Sequence, residues 1–146
     1  MSRKRPLPEM IKRQRAVLAT QGKYQRRAFD WKTKATCLHL ANFHLRRMGR
    51  KPPRMPQIGS LLAAKRALKA RGWGNVADML DGIGLARIAP AQLRLGDLIA
   101  TASDDGLGSI YIATGESTFI GWTVDVPELA VIDVFNPDDL LGAWRV

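Results

Sequence analysis

The hydrophobic period of this chain changes once, after Gly82, and that change limits the folds open to it. Before it, apolar residues recur at helical spacing. Met10, Ile11, Val17 and Leu18 form one set; Leu38, Ala41, Leu45 and Met48, widened by Leu40 and Phe43, form another. After it come short β-branched and aromatic runs: "GDLIAT" (96–101), "SIYIAT" (109–114), "TFIGWT" (118–123) and "LAVIDV" (129–134). Turn-rich spacers such as "SDDGLG" and "GES" separate them, and "GAWRV" reads as a fifth strand. Helices followed by strands predict an α+β fold, with N-terminal helices packed on a C-terminal antiparallel meander of about five strands. No internal repeat is visible.

The helix limits are also readable. Pro8 suits a first turn, Glu9 complements the helix dipole there, and Gly22 is expected to close a helix near 8–20. Thr33 or Thr36 can cap the second helix, and Arg46, Arg47 and Gly49 form its C-terminal end. Prolines 52, 53 and 56 make "RKPPRMPQ" (50–57) a stiff linker. Ser60 caps a third helix ending at Gly72, and Asn75 opens a short fourth, "VADML", stopping at Gly82. Residues 2–5, "SRKR", read as a disordered basic arm. The organisation expected is a basic arm and helix over 1–27, then an α+β domain over 28–146.

With 146 residues, 46% of them apolar, the chain is long enough for one well-filled core. Its single cysteine excludes an intrachain disulfide and any multi-cysteine zinc site. Its two histidines have no Asp or Glu at metal-ligand spacing, so neither a metal nor a cofactor is expected. No apolar run approaches the ~20 residues of a membrane span. The basic N-terminus lacks the apolar stretch of a signal peptide, which points to synthesis in a cytoplasm without export by that route.

The net charge of +10 conceals an asymmetry. Residues 1–73 carry 20 Lys and Arg against Glu9 and Asp30, a balance of +18; residues 74–146 carry three Arg against 11 acids, a balance of −8. Such a chain can attract a polyanion through its first half, or dock between unlike neighbours or copies of itself. "KYQRRAFDWKTK" (23–34) interleaves aromatics with cations, a composition able to stack on nucleic acid, but no nucleic-acid reader motif accompanies it.

Cys37 is the residue with the clearest chemical potential. At a helix start the unpaired N–H groups and the dipole favour a thiolate. A nucleophilic Cys also needs a base, and a buried apolar Cys does not. His39 and His44 lie on the same helix. His39, two residues on, points to another side; His44, seven residues on, stands roughly 10 Å up the helix. Neither can take the proton directly, and the pair is read as one semi-buried, satisfied ring and one surface ring. Asp104, Asp105, Asp138 and Asp139 sit in turns, with Asp138 and Asp139 able to cap a short helix. "DGIG" (81–84) and "DGLG" (105–108) do not run from a strand into a helix, so neither forms a phosphate loop.

"FDWKTKATCLHLA", "RLGDLIAT", "SIYIATG", "FIGW" and the closing "AWRV" together resemble the NlpC-like cell-wall cysteine peptidases. The closer resemblance is to a branch found in tailed bacteriophages and prophages, often encoded among tail genes. It covers roughly residues 28–146 and implies a papain-like core, with the Cys helix on an antiparallel sheet. In active members a Cys–His pair cleaves stem peptides of the bacterial cell wall. The family's Cys maps onto Cys37, but the Asp that usually precedes it is Thr36. The family's His maps onto Gly108 or Ser109, and the orienting polar residue onto Phe119–Gly121, which offers none.

Ser109 cannot accept and return a proton near neutral pH. The resemblance therefore implies a degenerate member in which Cys37 is a vestigial nucleophile. The expected role is a structural or assembly component of a phage tail, at its tip, residing in the virion and contacting other tail proteins, with the bacterial cell wall as a further partner. An active cell-wall endopeptidase using Cys37 is the first alternative. A nucleic-acid-binding module in the basic first half ranks below it.

Overall fold

In a computed structural model, residues 8–54, 57–115, 118–122, 131–132 and 139–146 are described, the last strand residues 131–132 by backbone only. Four helices precede the sheet: α1 (Glu9–Tyr24), α2 (Cys37–Arg47), α3 (Leu61–Ala70) and α4 (Val76–Gly82). Six strands follow: β1 (Ala86–Ile88), β2 (Leu98–Thr101), β3 (Ser109–Ala113), β4 (Phe119–Ile120), β5 (Val131–Ile132) and β6 (Leu140–Arg145). The α+β expectation holds. The basic arm at 2–5, part of the proline linker and Asp138 lie outside the described residues.

Three of the helices begin at the expected caps. The side chains of Thr36, Ser60 and Asn75 each accept a hydrogen bond from the backbone N–H three residues on. Gly22 does not end α1. The helix runs two residues further because Tyr24 is worth burying: its ring meets Phe43 and Trp122 edge-on, with centroids 5.8 and 6.0 Å apart. That packing outweighs the ~1 kcal/mol a helical glycine costs.

The sheet order is β1-β6-β2-β3-β4-β5, and every described pairing is antiparallel. Strands β2 to β5 form the expected meander. The closing strand does not extend it; β6 returns to the opposite side of β2, with Leu98 beside Trp144. Trp144 is fully buried there and its indole N–H donates to Asp81 Oδ1 at 2.9 Å. Strand β1, "ARI", is the one the sequence hid: three residues with an exposed Arg give no alternation to detect.

Successive residues of a strand face opposite ways, and both faces of this sheet are apolar. Leu98, Ile110, Ile112, Ile120 and Trp144 join Cys37, Leu38, Leu40 and Leu45 in the main core. Ile99, Tyr111, Ala113, Phe119 and Ala143 form a smaller cluster on the other face.

Candidate functional site

The lead-in to α2 is a tight loop. Asp30 and Ala35 exchange two backbone hydrogen bonds of 2.9 Å, and Lys34 turns the corner with φ of 60°. The chain then enters α2 through Thr36, which is fully buried. Thr36 stands where the resembled family has Asp. Its hydroxyl accepts the His39 N–H at 3.4 Å and pairs with His39 Nδ1 at 2.7 Å.

Cys37 is the first residue of the helix, as expected, but its thiol is not the activated one a helix start suggests. The residue is 6% exposed, and burial pushes the thiol up to about 11. Backbone N–H groups at Ile110, Leu38 and Cys37 itself favour the thiolate; desolvation outweighs them. At pH 7 that leaves about one molecule in ten thousand as thiolate. The Asp105 charge also disfavours the thiolate, by more than the Leu38 and Cys37 amides favour it singly; neither histidine acts on the sulfur.

The two histidines are engaged elsewhere, and neither is the surface ring expected from the sequence. His44 is fully buried. Its Nε2 lies 2.8 Å from the Gly96 carbonyl and its Nδ1 3.1 Å from the Thr20 hydroxyl. A carbonyl only accepts, so Nε2 carries the proton; Nδ1 faces the Thr20 hydroxyl, whose own O–H donates to Ala16 O at 2.9 Å. Burial holds this imidazole down to about 4. His39 is partly exposed and is held below its usual range by burial and then by Lys34, Arg27 and Lys23.

Gly108 and Ser109 are the positions onto which the family's base maps. Gly108 closes the "DGLG" turn with φ of 86° and leads into β3. A Cβ added there would stand 2.8 Å from Val76 Cγ2 and 3.0 Å from the Thr101 carbonyl oxygen. The start of α4 creates this obstruction: Val76 N–H donates to Leu107 O at 2.9 Å, which seats the buried Val76 side chain against the turn. Ser109 alternates with Ile110, whose side chain shares the core with Cys37. It therefore faces the same way as Tyr111, away from the thiol. Phe119, Ile120 and Gly121 bring no polar side chain.

Sequence reasoning noticed "GD" at 96–97 without giving it work. In the fold it anchors a buried polar cluster. Asp97 is fully buried. Its Oδ1 accepts from Arg13 Nη1 and from the Val146 N–H, each at 3.0 Å; its Oδ2 accepts from the Arg94 N–H at 2.9 Å. Arg145 Nε lies 3.0 Å from Oδ2 at an angle that makes an ion pair but not a hydrogen bond. Arg13, itself buried, also donates to Leu95 O at 2.9 Å and to Val146 O. These contacts pin α1 to β2 and to the chain end. The one sequence cue was an acid at the edge of an apolar run.

Of the aromatics of 23–34, Tyr24 is buried, while Phe29 and Trp31 stay at least partly exposed. Phe29 meets Trp31 and Trp122 edge-on at 5.6 and 5.9 Å, and Trp122 Nε1 donates to Arg27 O at 2.8 Å. Among the described residues no group of three or more His, Cys, Asp or Glu could hold a metal ion. No described helix is long and apolar enough to cross a membrane.

The family model for DUF6950, a domain of unknown function, matches residues 9–146. The chain belongs to the DUF6950 family. No curated protein matches it. Among solved structures, this DUF6950 chain is similar to the peptidoglycan hydrolase RipB of Mycobacterium tuberculosis. The TM-score is 0.63 at 14% identity, over 97% of this chain and 68% of that one. It is also similar to RipD of the same organism, described as a non-catalytic NlpC/p60 domain protein adapted to a peptidoglycan-binding function. There the TM-score is 0.61 at 16% identity, over 92% and 97% of the two chains. A P60 domain from a Mycobacterium avium paratuberculosis antigen gives 0.59 at 17%, over 94% and 96%. At these identities the likeness establishes the fold: DUF6950 is built here on the NlpC/p60 plan.

Proposed function

We propose that this domain is a catalytically silent NlpC/p60-like fold that works by holding neighbours, as a structural component of a bacteriophage tail tip. One observation carries the silent reading: no imidazole reaches the buried Cys37 thiol, and the obvious place for one is filled by Val76 against left-handed backbone at Gly108. General-base activation of a thiol needs a titrating group within hydrogen-bond reach. The tail assignment draws on the resemblance of the lead-in, core strands and chain end, and on the +18 and −8 halves, which suit docking between unlike proteins. Vestigial Cys37 then serves as a core residue.

Two measurements test this. Purified protein is incubated with cell-wall fragments and the soluble products are followed; no release is expected. Turnover by the wild type that disappears in Cys37→Ser would refute the silent reading and favour the endopeptidase. Sedimentation of tail complexes should carry the protein with them, and its consistent absence would refute the tail role. A second reading, retention by the cell wall without hydrolysis, draws on the likeness to RipD. Cosedimentation with purified sacculi, unaffected by Cys37→Ser, would favour it.

A further inference from the structure

The outer side of α2, turned away from the sheet, carries a groove of about 630 Å³. His39, Asn42 and Arg46 line it from the helix, Trp31, Lys32 and Lys34 from the 30–35 loop, and Arg54 and Gln57 from the segment before α3. Its four cations are exposed, and no acid lines it. Among the described residues the ion pairs use Arg13, Arg87 and Arg145, and none involves a cation of the groove. Four described acids of the second half are engaged internally: Asp97 with Arg13, Asp81 with Arg87 and Trp144, Asp78 and Asp105 with backbone N–H groups.

Two further features make this more than a charged face. The volume falls within the ~300–1,000 Å³ of small-ligand sites. Two guanidinium forks, at Arg46 and Arg54, match the oxygens of a phosphate, and two lysines supply additional point charge.

We propose that this groove binds a small, multiply charged phosphate ligand, with Lys32, Lys34, Arg46 and Arg54 taking the phosphates. The site is separate from the thiol and stands whether or not the domain is catalytically silent. Its occupant is of small-ligand size; a long polyanion lying across the whole basic half is the competing case.

The test is calorimetric titration of the full-length protein with inorganic pyrophosphate at low salt, followed by ring NMR of the two histidines. Saturable one-site binding is expected. Lys34→Ala/Arg46→Ala should weaken it at least about tenfold. Lys65→Ala/Arg66→Ala removes the same charge from the exposed face of α3 and should leave affinity within about twofold, after allowing for net charge. The His39 resonance should move on binding, because an anion near the ring offsets Lys34, Arg27 and Lys23, while buried His44 stays still. Absence of saturable binding, equal weakening by both double variants, or movement of neither histidine would overturn the proposal. So would an oligonucleotide that binds with an affinity indifferent to the groove variants while pyrophosphate does not bind.

Discussion

Acidification should unfold this domain partly through one residue, His44. In the folded chain its imidazole titrates at about 4, against an ordinary value of 6.5. Burial dominates that depression; the Gly96 carbonyl and the Asp97 charge oppose it, and Arg13 adds to it. The sign follows from linkage. Between pH 6.5 and 4 the unfolded chain binds a proton at this position and the folded chain does not, so stability falls as pH falls through that window. At about 1.4 kcal/mol per unit, the loss by pH 4 is about 3 kcal/mol, a large share of the ~5–15 kcal/mol of a typical domain. Carboxylates also lose stability in acid, so the comparison must be differential. His44→Gln does not titrate and can still donate to Gly96 O. Urea unfolding followed by tryptophan fluorescence at pH 7, 6, 5 and 4 gives both stabilities. The wild-type advantage over the variant should shrink by about 3 kcal/mol from pH 7 to 4. A difference that stays constant with pH would refute the reasoning, since it would mean that the ring takes up its proton equally in both states.

Native Cys37 should resist iodoacetamide at pH 7–8 and react fully only in denaturant, because the thiol is both buried and raised to about 11; rapid alkylation of the folded protein would contradict this. Asp97→Asn should cost about 3–5 kcal/mol in urea titrations, since it leaves buried Arg13 with only the exposed Glu9 as counter-charge; Asp97→Leu paired with Arg13→Met should cost less than Asp97→Asn. Gly108→Ala should destabilise by at least about 1 kcal/mol, and Val76→Ala in the same chain should recover only part of it, because the left-handed backbone remains. Full recovery would mean that the methyl contact was the whole cost.

What could be read in the sequence was what local chemistry decides. Thr36, Ser60 and Asn75 cap helices wherever they precede an apolar stripe, so those starts were legible. The lack of a base for Cys37 was legible too, since there are only two histidines and both share its helix. Tertiary packing hid the rest. Gly22 stays helical because Tyr24, two residues on, finds an aromatic cage. Strand β6 returns to β2 because Trp144 and the Val146 N–H find Asp81 and Asp97 there, contacts that no periodicity encodes. In the sequence His44 is only a ring too far up the helix to act on Cys37, with no role of its own. It is instead the pin between α1, α2 and the Gly96 corner, and only the fold reveals that Thr20 and Gly96 face it.

A helix start ordinarily lowers a thiol's pKa, so the direction found for Cys37 needs a cause beyond missing a partner. The dipole and the nearby N–H groups contribute stabilisation to the thiolate at the first turn. Closing Ile110 and the rest of the core over the sulfur removes water, and for a fully buried ion that loss is the larger effect. An imidazolium beside the sulfur would be the remaining way to keep the thiolate, and the positions that could hold one fail for unrelated reasons. At 108 the backbone is left-handed and Val76 stands in the way; at 109 the side chain faces the opposite side of the sheet. Installing histidine at either position therefore leaves the sulfur as it is. The want of an imidazole beside this sulfur follows from how α4, the 103–108 turn and β3 pack together, and not from a single absent residue.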